Sequence, residues 1–278
     1  MRVHVKARLD YDFPERVESL LQIEAALADD QAVLDERLTF DPPVAFARRD
    51  DPATGERRVV FTHQGRLAVA YDAVVEIADR DMALTDAAQH AVADLPIETL
   101  PYLRGSRYCP SDTFETIADQ EFGALRGGAR VAAIVDWIIG HLEYRSCSDA
   151  RTTALETYVQ RAGVCRDFAH LAVTLCRASD IPARVASVYA PALEPPDFHA
   201  VVEVFVGGRW RLLDPTGRAP VDGLVRIAHG RDAADVAFLT IFGKATMVSQ
   251  SVTARGSPDP PPMEEVSAQP TEGGVIGR

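Results

Sequence analysis

The 278-residue sequence predicts an α+β fold. Three observations carry that expectation. Runs that alternate polar and apolar residues fill the first part of the chain, to about Ala78. Helical patterns dominate the middle, and the run from Arg130 to Leu142 is apolar on all sides. Two valine- and leucine-rich runs flank Gly207-Gly208, the signal of a two-residue hairpin.

Composition narrows the function classes. A formal net charge of −12 argues against nucleic-acid or anionic-membrane partners. No run of 18 apolar residues occurs, so a membrane-spanning helix is not expected. The first residues, Met1 to Arg8, lack the apolar core of a signal peptide. The four cysteines, Cys109, Cys147, Cys165 and Cys176, have no C-x-x-C spacing. They read as reduced thiols of a cytoplasmic protein, with neither a disulfide frame nor a metal site. No cofactor is expected.

Taken in order, Arg2 to Leu9 reads as a strand. Val17 to Leu27 is helix-like by composition. Asp50 to Gly55 is a turn cluster. Arg57–His63 and Leu67–Ile77 read as two strands of a hairpin around Gln64-Gly65-Arg66. Two prolines in the stretch from Ala93 to Pro101 mark a boundary, which gives an N-terminal β-rich domain over 1–95. Ser111 to Phe114 begins a helix, and the Arg130–Leu142 run forms a buried one carrying Trp137. A helix starts at Cys165 and ends near Ser179, before Asp180-Ile181-Pro182. Ala183 to Tyr189 is a buried strand, and the proline-rich loop from Pro191 to Asp197 leads into Phe198 to Val206. The core extends over 96–250. Residues 251–278, poor in apolar side chains towards their end, form a C-terminal tail.

Cys165 is the chemical focus. It stands behind Gly163-Val164 at a helix start, where free backbone N–H groups and the helix dipole favour a thiolate and suit a developing oxyanion. Alone, the residue would be as well explained as one more buried cysteine. Partners appear downstream. With Gly207-Gly208 as the turn, Val206 faces Arg209, Phe205 faces Trp210 and Val201 faces Asp214. Period-2 alternation then places His199, Val201, Glu203 and Phe205 on one face, with Asp214 diagonal to His199. His170, five residues beyond Cys165, is about 140° around the helix and cannot act on it. Phe168, Ala169, Ala172, Val173 and Cys176 form the buried stripe of that helix, so Cys176 reads as a core residue. His4, His63 and His229 have no thiol or carboxylate cluster around them.

Three segments resemble the transglutaminase-like, papain-like cysteine enzymes. They are Gly163-Val164-Cys165-Arg166-Asp167-Phe168-Ala169-His170, Phe198-His199-Ala200 and Leu213-Asp214-Pro215-Thr216. Ile181-Pro182-Ala183-Arg184-Val185 is similar to the stretch those proteins carry between Cys and His. The resemblance implies a papain/transglutaminase-like core, in which the nucleophile helix packs on an antiparallel sheet behind an N-terminal antiparallel β domain. It favours strand over helix for Val17 to Leu27. Tyr144 stands where the family often keeps an aromatic near the site, as a wall or a hydrogen-bond donor. One departure is Val201, where an aromatic, usually Trp, is common.

The sequence thus points to a cysteine hydrolase, protease or acyltransferase acting on amide or peptide bonds through a thioester. Cys165 is the expected nucleophile, His199 the base and acid, and Asp214 the residue that orients the imidazole. A protein or peptide substrate is expected, with hydrolysis favoured over transfer to an amine. A catalytically silent scaffold of the same fold is the alternative.

Overall fold

A computed structural model describes residues 1–257 of the chain. Two long strands build the first layer. β1 (Arg2–Leu21) and β4 (Arg57–Ile77) pair antiparallel from Arg2↔Glu76 to Leu21↔Val59. Their alternation is strict: Val3, Val5, Ala7 and Leu9 are buried while His4, Lys6 and Arg8 are exposed. Leu, Glu and Ala in Val17 to Leu27 favour a helix by propensity, but β1 continues to Leu21. The buried face of the sheet overrides a propensity that is a weak prior. Residues 22–26 are buried without being strand.

The expected hairpin at Gln64-Gly65-Arg66 is corrected. β4 runs through it, with Gly65 at φ 90° opposite Phe13 and the register slipping between Phe13 and Val17. Pro14 has no N–H for the ladder, and the irregularity absorbs it as a bulge. β2 (Gln31–Asp41) and β3 (Phe46–Asp50) pair with β4 on its other side.

After a connection with three 3₁₀ segments, Val92–Asp94, Ile97–Leu103 and Ser111–Thr113, the chain forms α1 (Glu115–Phe122) and α2 (Gly127–His141). α2 is buried on one side only, through Val131, Ile134 and Ile138, while Ile139 is exposed. Trp137 is half-buried and stacks on Tyr158 and on His141, at 5.7 and 4.5 Å between ring centroids. Short strands β5 (Glu143–Tyr144) and β6 (Ala162–Gly163) pair in parallel around α3 (Ala154–Gln160). The helix that opens on Cys165, α4 (Cys165–Arg177), follows.

A second sheet has the order β10-β7-β8-β9, built from β7 (Ala183–Tyr189), β8 (Phe198–Val206), β9 (Arg209–Leu213) and β10 (Val225–Gly230). α4 packs on β8 and β7, and Leu171, Leu175, Val185, Val202 and Val204 belong to one apolar core. That core is continuous with the first sheet. Polar ties join the layers as well: Tyr189 Oη donates to the Ile23 carbonyl at 2.6 Å, and the Ala26 N–H to the Arg226 carbonyl at 2.9 Å.

The chain then returns to where it began. β11 (Leu239–Ile241) and β12 (Thr246–Ser257) both pair with β1, β12 along nearly its whole length. The boundary expected at 250/251 therefore falls inside β12, and residues 251–257 are strand. The remainder of the expected tail lies outside the described residues.

Candidate active site

Local chemistry fixes where α4 begins. Thr153 and Glu156 form a reciprocal cap at the start of α3. α3 ends at Arg161, in the left-handed region at φ 54°. β6 then runs straight into Val164. Asp167, fully buried in the first turn of α4, accepts the Val164 N–H at 2.9 Å and the Ser148 hydroxyl. Gly163 is required beneath it, since a Cβ there would stand 2.6 Å from the Asp167 Cβ. Arg166 donates to the Asp149 carbonyl at 2.7 Å and lies 3.3 Å from Asp167. The stretch from Arg145 to Asp149 is thereby strapped over the start of the helix, and Cys165 is left half-buried.

The hairpin has the register expected from its turn. Gly207 and Gly208 adopt φ of 64° and 78°, and Val206↔Arg209, Phe205↔Trp210 and Val202↔Leu213 are partners. His199 and Asp214 meet, with Nε2 and Oδ2 3.0 Å apart. Both are buried. His199 Nδ1 has no hydrogen-bond partner and is left for the neighbouring thiol.

Asp214 holds more than the imidazole. It also accepts the Thr216 N–H at 2.9 Å, the Thr216 hydroxyl at 2.7 Å, and the N–H groups of Arg218 and Ala219 at 3.1 and 2.9 Å. Burial works against its charge, but these donors and His199 keep its carboxyl below the usual range. Burial likewise opposes a charged His199. The Asp214 hydrogen bond and the Cys165 thiol outweigh it and raise the imidazole to about 9.

A model of the transglutaminase-like superfamily matches residues 117–215. A Cytophaga hutchinsonii protein, solved at 1.9 Å as a "putative cysteine protease", is 37% identical to this chain. The match covers 94% of this chain and 92% of that one, with a TM-score of 0.86. The chain belongs to the transglutaminase-like superfamily. An uncharacterized Mycobacterium leprae protein is 31% identical over 120 residues, 38% of this chain. That match spans 42% of the length of the relative. The periplasmic domain of TgpA from Pseudomonas aeruginosa, bound to ethylmercury, is 17% identical over 76% of each chain, with a TM-score of 0.38.

In this transglutaminase-like chain Tyr144 borders Cys165, and Arg218 covers Tyr144. The Tyr144 hydroxyl lies against both the thiol and the backbone N–H of Cys165; burial, with the neighbouring sulfur, pushes it up to about 12. The Arg218 guanidinium covers the Tyr144 ring at 4.4 Å and donates to the Glu194 carbonyl, in the loop before His199. Tyr144 reaches the site because β5 pairs with β6, Tyr144 opposite Gly163. No local signal for Arg218 exists in the sequence beyond its place four residues after Asp214.

The other histidines and cysteines are placed apart from this chemistry. His170 is fully buried, accepts the Ala233 N–H at 3.1 Å, and is pushed down to about 3 by burial. Burial drives the Cys109 and Cys176 thiols up to about 12. His4 pairs with Asp72 at 2.6 Å on the surface. His229, for which the sequence offers no partner, lies 3.6 Å from Glu56. Val201, at the family's aromatic position, is buried in a small apolar cluster with Ala186, Val188 and Leu212. Among the described residues, no group of three His, Cys, Asp or Glu side chains is placed to hold a metal ion. Nor is any helix long and apolar enough to cross a membrane. A cavity of about 880 Å³ elsewhere in the molecule does not include Cys165, His199 or Asp214.

Proposed function

We propose that the protein is a cysteine hydrolase of amide or peptide bonds. Cys165 is its nucleophile, His199 its acid and base, and Asp214 the group that orients the imidazole. One observation carries the reading: a buried imidazole is bonded through Nε2 to a carboxylate at 3.0 Å, and its unpaired Nδ1 is left for the thiol that opens α4. An imidazolium beside a sulfur favours the thiolate, and the first turn of α4 adds the positive end of its dipole. The Cytophaga protein's description as a "putative cysteine protease" agrees with this chemistry.

In the proposed cycle the Cys165 sulfur attacks the carbonyl carbon, and the oxyanion is met by the Cys165 backbone N–H. The Tyr144 hydroxyl now borders that N–H, so it shifts or becomes the second donor as the carbonyl enters. His199 passes its proton to the leaving amine, and a thioester remains on Cys165. The same imidazole, now neutral, takes a proton from water as the water attacks the thioester. Asp214 keeps Nδ1 facing the sulfur throughout. Water is favoured over an amine as acceptor because nothing beside Cys165 marks an amine site. Four free cysteines fit a reducing compartment such as the cytoplasm.

The test is a profile of peptides cleaved or deamidated by the purified protein beside its Cys165→Ala variant. Products that depend on Cys165 support the reading. Equal product in both samples removes it and leaves a silent scaffold.

A further inference from the structure

Two walls flank the Cys165–His199 pair, and they are not equally anchored. On the sheet side, Leu193 and Ala219 are buried in the small apolar cluster that holds Val201. Glu194 and Arg218 are their chain neighbours, so the backbone at both is fixed from behind. Gly217, at φ 64°, turns the chain, and the Arg218 N–H donates to Asp214 Oδ2 at 3.1 Å. The other wall is β5, a strand of two residues. Its Tyr144 is 38% exposed, and the flanking Glu143 and Arg145 are exposed as well.

The Arg218 side chain joins the walls. Its Nη2 donates to the Glu194 carbonyl on one side, and its guanidinium covers the Tyr144 ring at 4.4 Å on the other. The aromatic neighbour of that ring is Phe168 of α4, buried, at 5.7 Å between centroids. A planar guanidinium can stack on a ring and use its donor fork at the same time, which an ammonium cannot.

The contact matters because of where the phenol ends. The Tyr144 hydroxyl lies against the Cys165 thiol and the Cys165 backbone N–H. That N–H is the group the proposed cycle offers to the oxyanion. An entering carbonyl must therefore move a phenol that Arg218 holds in place.

We infer that Arg218 is a positioning residue, which latches Tyr144 over Cys165 and sets how readily a substrate reaches the thiol. The inference rests on the reading of Cys165 as the nucleophile. Arg218 acts through Tyr144 alone. Apparent substrate affinity is reduced by the fraction of molecules whose latch is open. A cation over an aromatic ring at an exposed site is worth a factor of about two to five. The side chain can be altered without stripping Asp214, because this loop bonds that carboxylate through the backbone N–H groups of Thr216, Arg218 and Ala219 and the Thr216 hydroxyl.

The test is the rate of Cys165 alkylation by iodoacetamide on the full chain, read by peptide mass spectrometry. It is taken at the alkaline plateau of the pH profile, where a change in thiol ionisation does not enter. Arg218→Met should raise the rate about two- to five-fold. Tyr144→Ala should raise it at least as much, and Arg218→Met should add nothing in the Tyr144→Ala background. On a peptide whose cleavage depends on Cys165, Arg218→Met should lower KM by the same factor and leave kcat unchanged. A role in packing alone would alter both backgrounds alike and would not lower KM. Should Arg218→Met fail to fold, Arg218→Lys replaces it; the charge is kept but the stack and the Glu194 bond cannot be made together, and the rate should rise about two-fold. The inference is overturned by an unchanged or slower rate in the folded Arg218 variant, by an equal effect of that variant with and without Tyr144, or by a raised KM. Absence of any Cys165-dependent peptide product removes the hydrolase reading instead, and the alkylation rates still decide the latch.

Discussion

Replacing Asp214 with Asn tests the proposed chemistry most directly, because the carboxylate has two separable duties. The first is electrostatic. Burial alone would push His199 below an ordinary 6.5, and Asp214 is the leading group that lifts it to about 9. That rise corresponds to about 3 kcal/mol of preference for the protonated ring. Without the charge, His199 should fall to about 6.5 or lower. At pH 7.5 its protonated fraction then drops from about 97% to about 10% or less. Asparagine can also turn an N–H towards the ring and favour the wrong tautomer. In a serine triad the equivalent change costs about 10⁴ in turnover. A thiolate–imidazolium pair depends less on the acid, so a loss on the order of 10²–10³ is expected, scaled from that case. The second duty is structural. Oδ2 takes three donors and Oδ1 two. An amide can satisfy only one side, and a donor of the other is orphaned. A stability loss of about 2–4 kcal/mol follows. The assay is the pH dependence of Cys165 alkylation and of turnover, beside urea unfolding. In the wild type the upper inflection lies near pH 9, and in Asp214→Asn it moves down by two pH units or more. An inflection that stays near 9, or turnover close to wild type, would refute the reasoning.

Limiting iodoacetamide near neutral pH should modify Cys165 ahead of Cys147, Cys109 and Cys176, as read by peptide mass spectrometry; earlier labelling of another cysteine argues against an activated thiol. His199 gains proton affinity on folding, so its contribution to stability is complete below about pH 6.5 and is lost as pH rises through about 9. Wild-type unfolding free energy should show that decline and His199→Gln should not. Arg177 donates to the Ala183, Arg104 and Arg231 carbonyls at 2.9, 3.1 and 2.6 Å, which ties the end of α4 to three segments. Arg177→Met should cost about 2–4 kcal/mol in urea unfolding without moving the pH profile of Cys165 alkylation. A chelator should leave turnover unchanged; loss of activity restored by calcium would show a metal requirement.

What could be read in the sequence was what local rules decide. The Gly207-Gly208 turn sets a two-residue hairpin, and period-2 geometry then carries His199 to Asp214 without further information. The Gly163-Val164-Cys165 junction is similarly local, since Gly163 and Asp167 lie within one turn. What could not be read depends on partners far away in the chain. Gly65 resembles a turn residue, and only the pairing of β4 with β1 shows it to be opposite a bulge. Tyr144 comes to Cys165 through a two-residue parallel bridge with no pattern of its own. The start of the expected tail, residues 251–257, resembles one because one face of an edge strand is exposed, and pairing with β1 makes it a strand.

That last pairing has a kinetic side. β1 meets β4 early in synthesis, but its other edge waits for β12, with Arg2 opposite Ser257. At about 5–20 residues per second, the interval between the emergence of Leu21 and of Thr246 is about 10–45 s. Throughout that time a 20-residue strand offers unpaired backbone groups to any neighbouring chain. Lys6, Arg8 and other charges on its outer face are the guard against such contacts. The sheet's first strand is thus among the last to be completed, a non-local closure that should make late folding slow. A nascent chain arrested before residue 246 should be prone to aggregate, even though every residue of the proposed catalytic site has already been made.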